Sequence, residues 1–199
     1  MNTLWRAVAL VALSVCLLFP LTLSAQERPV EFGVDGGISV FMPDGDDADN
    51  LTIVGFPNNS AFGVTAIRFG FFVSPRVAIE PRLAVTRSSD GDCSSALLDL
   101  FPSVLYHFKD FDRISLPYVR AGAGLTHSRW DCGDDNDSDT QFGFGGGVGL
   151  KIPMAETAFI RLEAAYEKWL EQGDEGNWDE FVRGYSALRL SIGISAILN

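Results

Sequence analysis

Apolar and polar residues alternate along most of the chain. From Val30 to Met42, the even positions are apolar or glycine, whereas the odd positions include Glu31, Asp35 and Ser39. Successive side chains of a β-strand point to opposite faces, so this pattern predicts a strand with one apolar and one polar face. Similar patterns recur and predict an all-β protein. The eight predicted strands are Val30–Met42, Ala61–Val73, Arg76–Arg87, Leu98–Phe108, Pro117–Leu125, Gln141–Ile152, Ile160–Glu167 and Leu188–Leu198.

The connections between these strands alternate between long polar segments and tight turns. An up-and-down antiparallel sheet therefore carries its long connections at one end and its short turns at the other. The second strand is less regular than the others, and a β-bulge near Thr65 would restore its alternation. The long connections are Pro43–Ser60, Ser88–Ser95, Asp131–Asp139 and Glu171–Arg183, and the short turns are Ser74–Pro75, Lys109–Ser115 and Pro153–Glu156.

Two closed barrels of opposite polarity fit this alternation. In a soluble lipocalin-like barrel the apolar face surrounds a ligand, whereas in a transmembrane barrel it contacts lipid and the polar face lines the lumen. The apolar faces carry almost no charge over about ten residues per strand, which is the length that crosses a membrane at a tilt. The pattern therefore favours an eight-stranded antiparallel up-and-down transmembrane β-barrel, with the soluble ligand-binding barrel as the alternative.

The polar faces place nine charged residues inside this predicted barrel. Eight strands enclose a space that side chains largely fill, and an unpaired buried charge costs several kcal/mol. We therefore expect a lumenal ion-pair network that closes the barrel. Within it, the pair Glu80 and Arg82 on one strand is expected to meet a second pair, formed by Arg161 and Glu163. The nine residues are Glu31, Asp35, Arg68, Glu80, Arg82, Arg120, Arg161, Glu163 and Arg189.

Residues 1–25 have the composition of a secretory signal peptide. Arg6 precedes the apolar run Ala7–Phe19, Pro20 follows it, and the segment ends with a small residue at Ala25. A transmembrane helix needs about 20 apolar residues, which this run does not reach. We expect residues 1–25 to be removed on export and residues 26–199 to form the β-barrel domain.

The charge balance narrows the classes of function. The 199 residues include 15 Lys and Arg against 26 Asp and Glu, which gives a formal net charge of -11. Such an acidic chain lacks the basic surface that nucleic-acid binding requires. A hydrophobic content of 47% with only 21% charged residues also argues against a disordered chain.

Acidic residues are concentrated in the long connections, which hold 16 of the 26. Carboxylates are calcium ligands, but the runs Asp44–Asp49 and Asp134–Asp139 lack the central glycine and terminal glutamate of the twelve-residue calcium loop. We therefore predict a solvated acidic surface, no metal site and no cofactor. Divalent ions that bridge these carboxylates to lipopolysaccharide phosphates are an alternative.

Two cysteines remain outside the predicted signal peptide, which contains Cys16. Cys93 and Cys132 lie at almost equal distances from the middle of the turn Lys109–Ser115. Antiparallel pairing across that turn would place them nearly opposite each other, beyond the membrane. Export brings the chain into an oxidising compartment, so we predict a disulfide between Cys93 and Cys132.

Five segments resemble strands of the small eight-stranded outer-membrane β-barrel family of Gram-negative bacteria, also described as porin-like. They are FGVDGGISVF, LDLFPSVLYHF, PYVRAGAGLTHS, FGFGGGVGLKIP and FIRLEAAYEKWL. The resemblance covers residues 26–199 and implies a monomer without a cofactor, inserted by the barrel-assembly machinery among outer-membrane lipid and lipopolysaccharide. It implies a role in envelope integrity, adhesion or resistance to host factors. Such barrels commonly end in an aromatic residue, whereas this chain ends Ile197-Leu198-Asn199.

Some eight-stranded barrels are lipid A deacylases, which carry a His-x-Ser pair on a strand near the C-terminus. The corresponding place here holds Tyr166-Glu167-Lys168, which supplies no matching nucleophile and base. His127 and Ser128 are adjacent, which places them on opposite faces of a strand. We therefore expect no enzymatic activity, with an outer-leaflet lipid-modifying enzyme as the alternative.

Overall fold

The structure, a computed structural model, describes residues 29–43, 51–55, 66–90, 93–109, 115–132, 135–170 and 184–198. These residues form nine β-strands, and no helix among them is long and apolar enough to cross a membrane. The predicted signal peptide, residues 1–25, lies outside the described residues. The strands are β1 (Val30–Pro43), β2 (Leu51–Gly55), β3 (Ala66–Ser74), β4 (Val77–Asp90), β5 (Cys93–His107), β6 (Leu116–Cys132), β7 (Asp135–Pro153), β8 (Ala158–Trp169) and β9 (Tyr185–Leu198).

Eight of the strands close into an antiparallel barrel. From β3 to β9 each strand pairs with the next one along the chain, and β1 pairs with both β3 and β9. The β1–β9 pairing runs without interruption from Val30 opposite Leu198 to Pro43 opposite Tyr185. Closure satisfies backbone hydrogen bonds that an open sheet edge would expose to lipid. The predicted eight-stranded up-and-down barrel is thereby confirmed.

The ninth strand, β2, lies in a connection that the sequence analysis treats as a loop. It pairs with residues 37–41 of β1, whereas β3 pairs with residues 30–35 of the same strand. The prediction of a continuous loop over Pro43–Ser60 is therefore wrong. A five-residue strand in a polar segment is too short for its alternation to be distinguished from a loop.

The two faces of the wall have the predicted polarity. Phe142 and Ile194 point outward with 53% and 62% of their surface exposed, whereas Glu31 points inward and is 2% exposed. Other large outward residues, such as Val148 at 59%, are exposed to a similar extent. An apolar outside and a charged inside contradict the lipocalin-like alternative, in which an apolar interior receives the ligand.

Two of the predicted long loops are in fact strand extensions. Asp90 pairs directly with Cys93, and Cys132 pairs directly with Asp135, so paired strands replace most of the loops predicted at Ser88–Ser95 and Asp131–Asp139. Beyond the apolar band both faces of a strand become polar, which removes the alternation but leaves the backbone hydrogen bonds in place. We call residues 86–90, 93–97, 128–132 and 135–139 the strand extension.

The opposite end of the barrel carries short turns. One turn joins Ser74 to Val77, and a second joins Pro153 to Ala158. The bulge expected near Thr65 lies outside the described residues. The described part of β3 instead shifts its register against β4 between Phe72 and Ser74, next to the first of these turns.

A disulfide joins two strands of the extension. Cys93 and Cys132 are direct partners in the β5–β6 register, with their Cα atoms 4.1 Å apart, and their sulfur atoms are bonded. The predicted disulfide is confirmed. Because Cys93 begins β5 and Cys132 ends β6, the bond ties the end of the β4–β5 pair to the end of the β6–β7 pair.

Candidate functional site

The interior of the barrel holds the charged residues of the polar strand faces. All nine residues that the sequence analysis places there are buried, each with at most 6% of its surface exposed. They come from six strands, β1, β3, β4, β6, β8 and β9, and the barrel closure brings their side chains together across the lumen. They are Glu31, Asp35, Arg68, Glu80, Arg82, Arg120, Arg161, Glu163 and Arg189.

Glu163 lies at the centre of the first cluster of ion pairs. Its carboxylate accepts hydrogen bonds from Arg68 at 3.1 Å, from Arg120 at 2.8 Å and from Arg161 at 2.9 Å. The Tyr118 hydroxyl donates a fourth hydrogen bond at 2.7 Å. Three guanidinium groups thus surround one carboxylate, which leaves excess positive charge that other carboxylates must balance.

Glu80 and Asp35 supply that balance. Glu80 pairs with Arg161 at 2.5 Å and with Arg68 at 3.1 Å, and Asp35 forms an ion pair with Arg68. The expected contact between the Glu80 strand and the Arg161 strand is therefore present. Glu163 also pairs with Arg161 on its own strand, whereas Arg82 pairs with Glu167 and Asp99, outside the expected foursome.

Glu167 lies at the centre of a second cluster, nearer the long-loop end. It pairs with Arg82 at 2.6 Å, with Arg120 at 2.9 Å and with Arg189 at 3.3 Å. Arg82 also pairs with Asp99 at 3.2 Å. Arg120 contacts both Glu163 and Glu167, so it joins the two clusters into one network.

A smaller group closes the short-turn end. Lys151 donates to Glu31 at 2.5 Å, and its ammonium nitrogen lies 5.5 Å from the centre of the Tyr118 ring. His107 stacks on Phe72 with ring centres 5.5 Å apart and contacts Tyr118 at 5.8 Å. Aromatic rings and one ion pair therefore fill the barrel at this level.

Three members of the network were missed in the sequence analysis: Asp99, Lys151 and Glu167. All three belong to polar strand faces and are at most 7% exposed. The predicted set contained five arginines against four carboxylates, and the added residues bring the described interior to six cations and six carboxylates. The uncompensated positive charge of the predicted set was the signal that carboxylates were missing, because an unpaired buried charge is costly.

Glycines on the inner face of β7 make room for large side chains. A Cβ added at Gly149 would overlap the Tyr118 ring, and one added at Gly143 would lie 2.5 Å from the Trp169 ring. Tyr118 and Trp169 are each 1% exposed. The glycine-rich strand thus serves as a wall against which these two rings pack.

Side chains leave little empty space around the network. A cavity of about 10 Å³ lies between Asp35, Ser39, Arg68 and Arg189, which is the volume that one water molecule needs. At this level of the barrel, the interior holds the paired charged side chains and has room for one water molecule.

A family model described as "Outer membrane protein beta-barrel domain" matches residues 8–193. The chain belongs to this family of outer-membrane β-barrels. Among curated proteins, no sequence matches this outer-membrane barrel significantly. The charged, closed interior described above is therefore that of a bacterial outer-membrane protein.

Solved structures of other outer-membrane barrels share the fold. Neisserial surface protein A is 13% identical with a TM-score of 0.62, and the alignment covers 84% of this chain and 96% of that one. The outer membrane protein OprG from Pseudomonas aeruginosa is 14% identical with a TM-score of 0.50, covering 86% and 97% respectively. At these identities the likeness concerns the fold alone.

The residues considered for catalysis lie apart in this outer-membrane barrel. Glu167 points inward into the ion-pair network, whereas its neighbour Tyr166 is 50% exposed on the outer face and donates to Ser186 at 2.8 Å. His127 Nδ1 lies 2.8 Å from the Thr140 hydroxyl oxygen across the β6–β7 pair. That contact joins two residues on the outer face.

Proposed function

We propose that this outer-membrane barrel has a structural and surface-interaction role, as a monomer in the outer membrane of a Gram-negative bacterium. The observation that carries the proposal is the buried set of six cations and six carboxylates that fills the described interior. A neutral, paired interior stabilises a closed barrel. The same interior opposes the passage of solutes, because a path would require several buried ion pairs to separate.

The strand extension supports the surface-interaction role. It continues four strands beyond the apolar band, and the Cys93–Cys132 disulfide ties the end of the β4–β5 pair to the end of the β6–β7 pair. A surface that is already ordered loses little conformational entropy when a partner binds, whereas mobile loops must be ordered at a cost in free energy. In the proposed orientation this end faces the outside of the cell and the short turns face the periplasm.

The proposed role includes no catalytic step and no cofactor. Glu167, at the position that corresponds to the deacylase pair, is 0% exposed and bound by arginines. The hydrogen bond between His127 and Thr140 is a cross-strand pair of the kind that stabilises sheets. Lipid and lipopolysaccharide are proposed as the surroundings of the barrel, and the barrel-assembly machinery as the route of insertion.

A deletion strain tests the proposal. Loss of the gene is expected to increase uptake of a hydrophobic fluorescent dye that an intact outer membrane excludes, and to reduce attachment of the cells to surfaces. The full chain should restore both properties. A Cys93→Ser/Cys132→Ser variant retains the barrel but loosens the extension, so it should restore dye exclusion more fully than attachment. Unchanged dye uptake together with unchanged attachment in the deletion strain would contradict the proposed role.

A further inference from the structure

β1 changes its partner strand at one level of the barrel wall. Asp35 of β1 pairs with Ala66 of β3, whereas Gly37 pairs with Gly55 of β2. The cavity of about 10 Å³ lies on the lumenal side of this junction. Gly37, Ala66 and Ser191, three of the residues that line it, have small side chains or none. Their small size leaves this space open within an otherwise filled interior.

Two buried polar groups of residues that line this cavity have no hydrogen-bond partner among the described residues. They are the Ser39 hydroxyl and the Arg189 Nε–H. Ser39 and Arg189 are 1% and 6% exposed, and they are direct partners in the β1–β9 register. Their Cβ atoms therefore lie about 5 Å apart on the same face of the sheet. A buried polar group without a partner loses its hydration without compensation, so two such groups at one cavity indicate a ligand that supplies the missing hydrogen bonds.

The ion pairs of Arg189 do not engage its Nε–H. Its Nη2 atom lies 3.3 Å from the Glu167 carboxylate and 4.0 Å from that of Asp99. Arg82 and Arg120 approach Glu167 more closely, at 2.6 Å and 2.9 Å. Arg189 is thus held less tightly than these two arginines, and a hydrogen bond at Nε would fix the other side of its guanidinium group.

The size and the charge of the site indicate a water molecule. The cavity volume matches a single water, and the described interior already holds six cations and six carboxylates, which a bound ion would unbalance. Water accepts a hydrogen bond from the Arg189 Nε–H and exchanges one with the Ser39 hydroxyl. It can also donate to the Asp35 carboxylate, which lines the same cavity. About three protein partners are typical of a buried water.

We infer that a structural water molecule occupies this cavity and bridges Arg189 of β9 to Ser39 and Asp35 of β1. The water completes the hydrogen bonding of Arg189 and fills the space at the level where β1 passes from β3 to β2. It is therefore a neutral member of the ion-pair network. The inference concerns the interior alone, so it does not depend on the proposed surface-interaction role.

Solution NMR of the full chain, folded in detergent micelles with isotope-labelled arginine, tests the site. The Arg189 Nε–H should show cross-peaks to water with opposite signs in NOE and ROE spectra, which distinguishes a bound water from hydrogen exchange. Arg82 is the matched control, because its buried Nε–H also lacks a partner among the described residues but Arg82 does not line the cavity. No water cross-peak at Arg189, or equal cross-peaks at Arg82 and Arg189, would overturn the inference. A chloride-dependent shift of the Arg189 signal would assign the site to a halide and also overturn it.

Ser39→Ala and Ser195→Ala provide a second test. Both serines are 1% exposed and their hydroxyls lack a partner among the described residues, but of the two only Ser39 lines the cavity. Ser39→Ala removes a hydrogen bond to the water and should reduce the ratio of folded to unfolded protein in urea about fivefold. Ser195→Ala removes an unpaired hydroxyl and should not reduce this ratio. Equal effects of the two substitutions contradict the inference. Heat-modifiable gel mobility confirms folding of each variant, and the NMR test on the wild type decides the matter if a variant fails to fold.

Discussion

Replacing Glu163 with glutamine removes one negative charge from the centre of the ion-pair network while changing the side-chain size little. Three cations contact the Glu163 carboxylate, namely Arg68 at 3.1 Å, Arg120 at 2.8 Å and Arg161 at 2.9 Å. Their side chains are each at most 3% exposed. Among the described interior residues, Glu163→Gln therefore leaves six cations facing five carboxylates in a space that water hardly reaches.

The size of the expected effect follows from this imbalance. Removal of one partner from a buried ion pair destabilises a protein by about 3–5 kcal/mol, because the remaining charge stays buried. We expect Glu163→Gln to lower the free energy of unfolding by that amount. Glu163→Gln/Arg120→Gln restores equal numbers of charges. Its effect should fall short of the sum of the two single effects by about 1–3 kcal/mol.

Urea unfolding of the barrel in phosphatidylcholine vesicles measures these free energies, with the folded fraction read from the gel mobility of unboiled samples. Asp131→Asn is the matched control, since it also neutralises a carboxylate but at a side chain that is 43% exposed. Its effect should stay within about 0.5 kcal/mol. The reasoning fails if Glu163→Gln shifts the free energy no more than Asp131→Asn does, or if the two single effects are additive.

Two further predictions concern the disulfide and the closed interior. Cys93→Ser/Cys132→Ser opens a covalent loop with a sequence separation of 39, so in the chain-entropy model it should lower the free energy of unfolding by about 4 kcal/mol. Reductant should reproduce this loss in the wild type in the same urea assay, and an unchanged midpoint would contradict it. In planar bilayers the wild type should give no stable current steps, whereas Glu80→Ala/Arg161→Ala, which removes one anion and one cation, should conduct. Stable steps in the wild type would refute the closed interior.

The wall of the barrel could be predicted because lipid and lumen impose opposite demands on neighbouring residues. Phe142 and Phe144 face outward while Gly143 faces inward, as their alternation predicts. The strand extension could not be predicted in this way, since beyond the lipid both faces contact water. There the backbone pairing of Cys132 with Asp135 continues without any apolar signal.

The members of the charged interior were partly predictable. Their strand faces followed from alternation, and the nine predicted residues are all buried. Which charged residues pair with each other depends on how far the strands on opposite sides of the lumen are displaced relative to one another. Arg82 on β4 meets Glu167 on β8, a contact between residues 85 positions apart that no local pattern encodes. The sequence could indicate only that the buried positive and negative charges should be equal in number.

The neutral interior also constrains how such a sequence can change over evolutionary time. Loss of one lumenal charge leaves its partners buried and unpaired, so substitutions inside the barrel are tolerated mainly as compensated exchanges of a cation and a carboxylate. On the outer face, leucine, valine, isoleucine and phenylalanine can replace one another with little cost, because fluid lipid imposes no fixed shape. The barrel can therefore persist through many substitutions, in keeping with a shared fold at 13% identity to Neisserial surface protein A. Correlated pairs of charges, rather than single invariant residues, are the pattern expected inside such barrels.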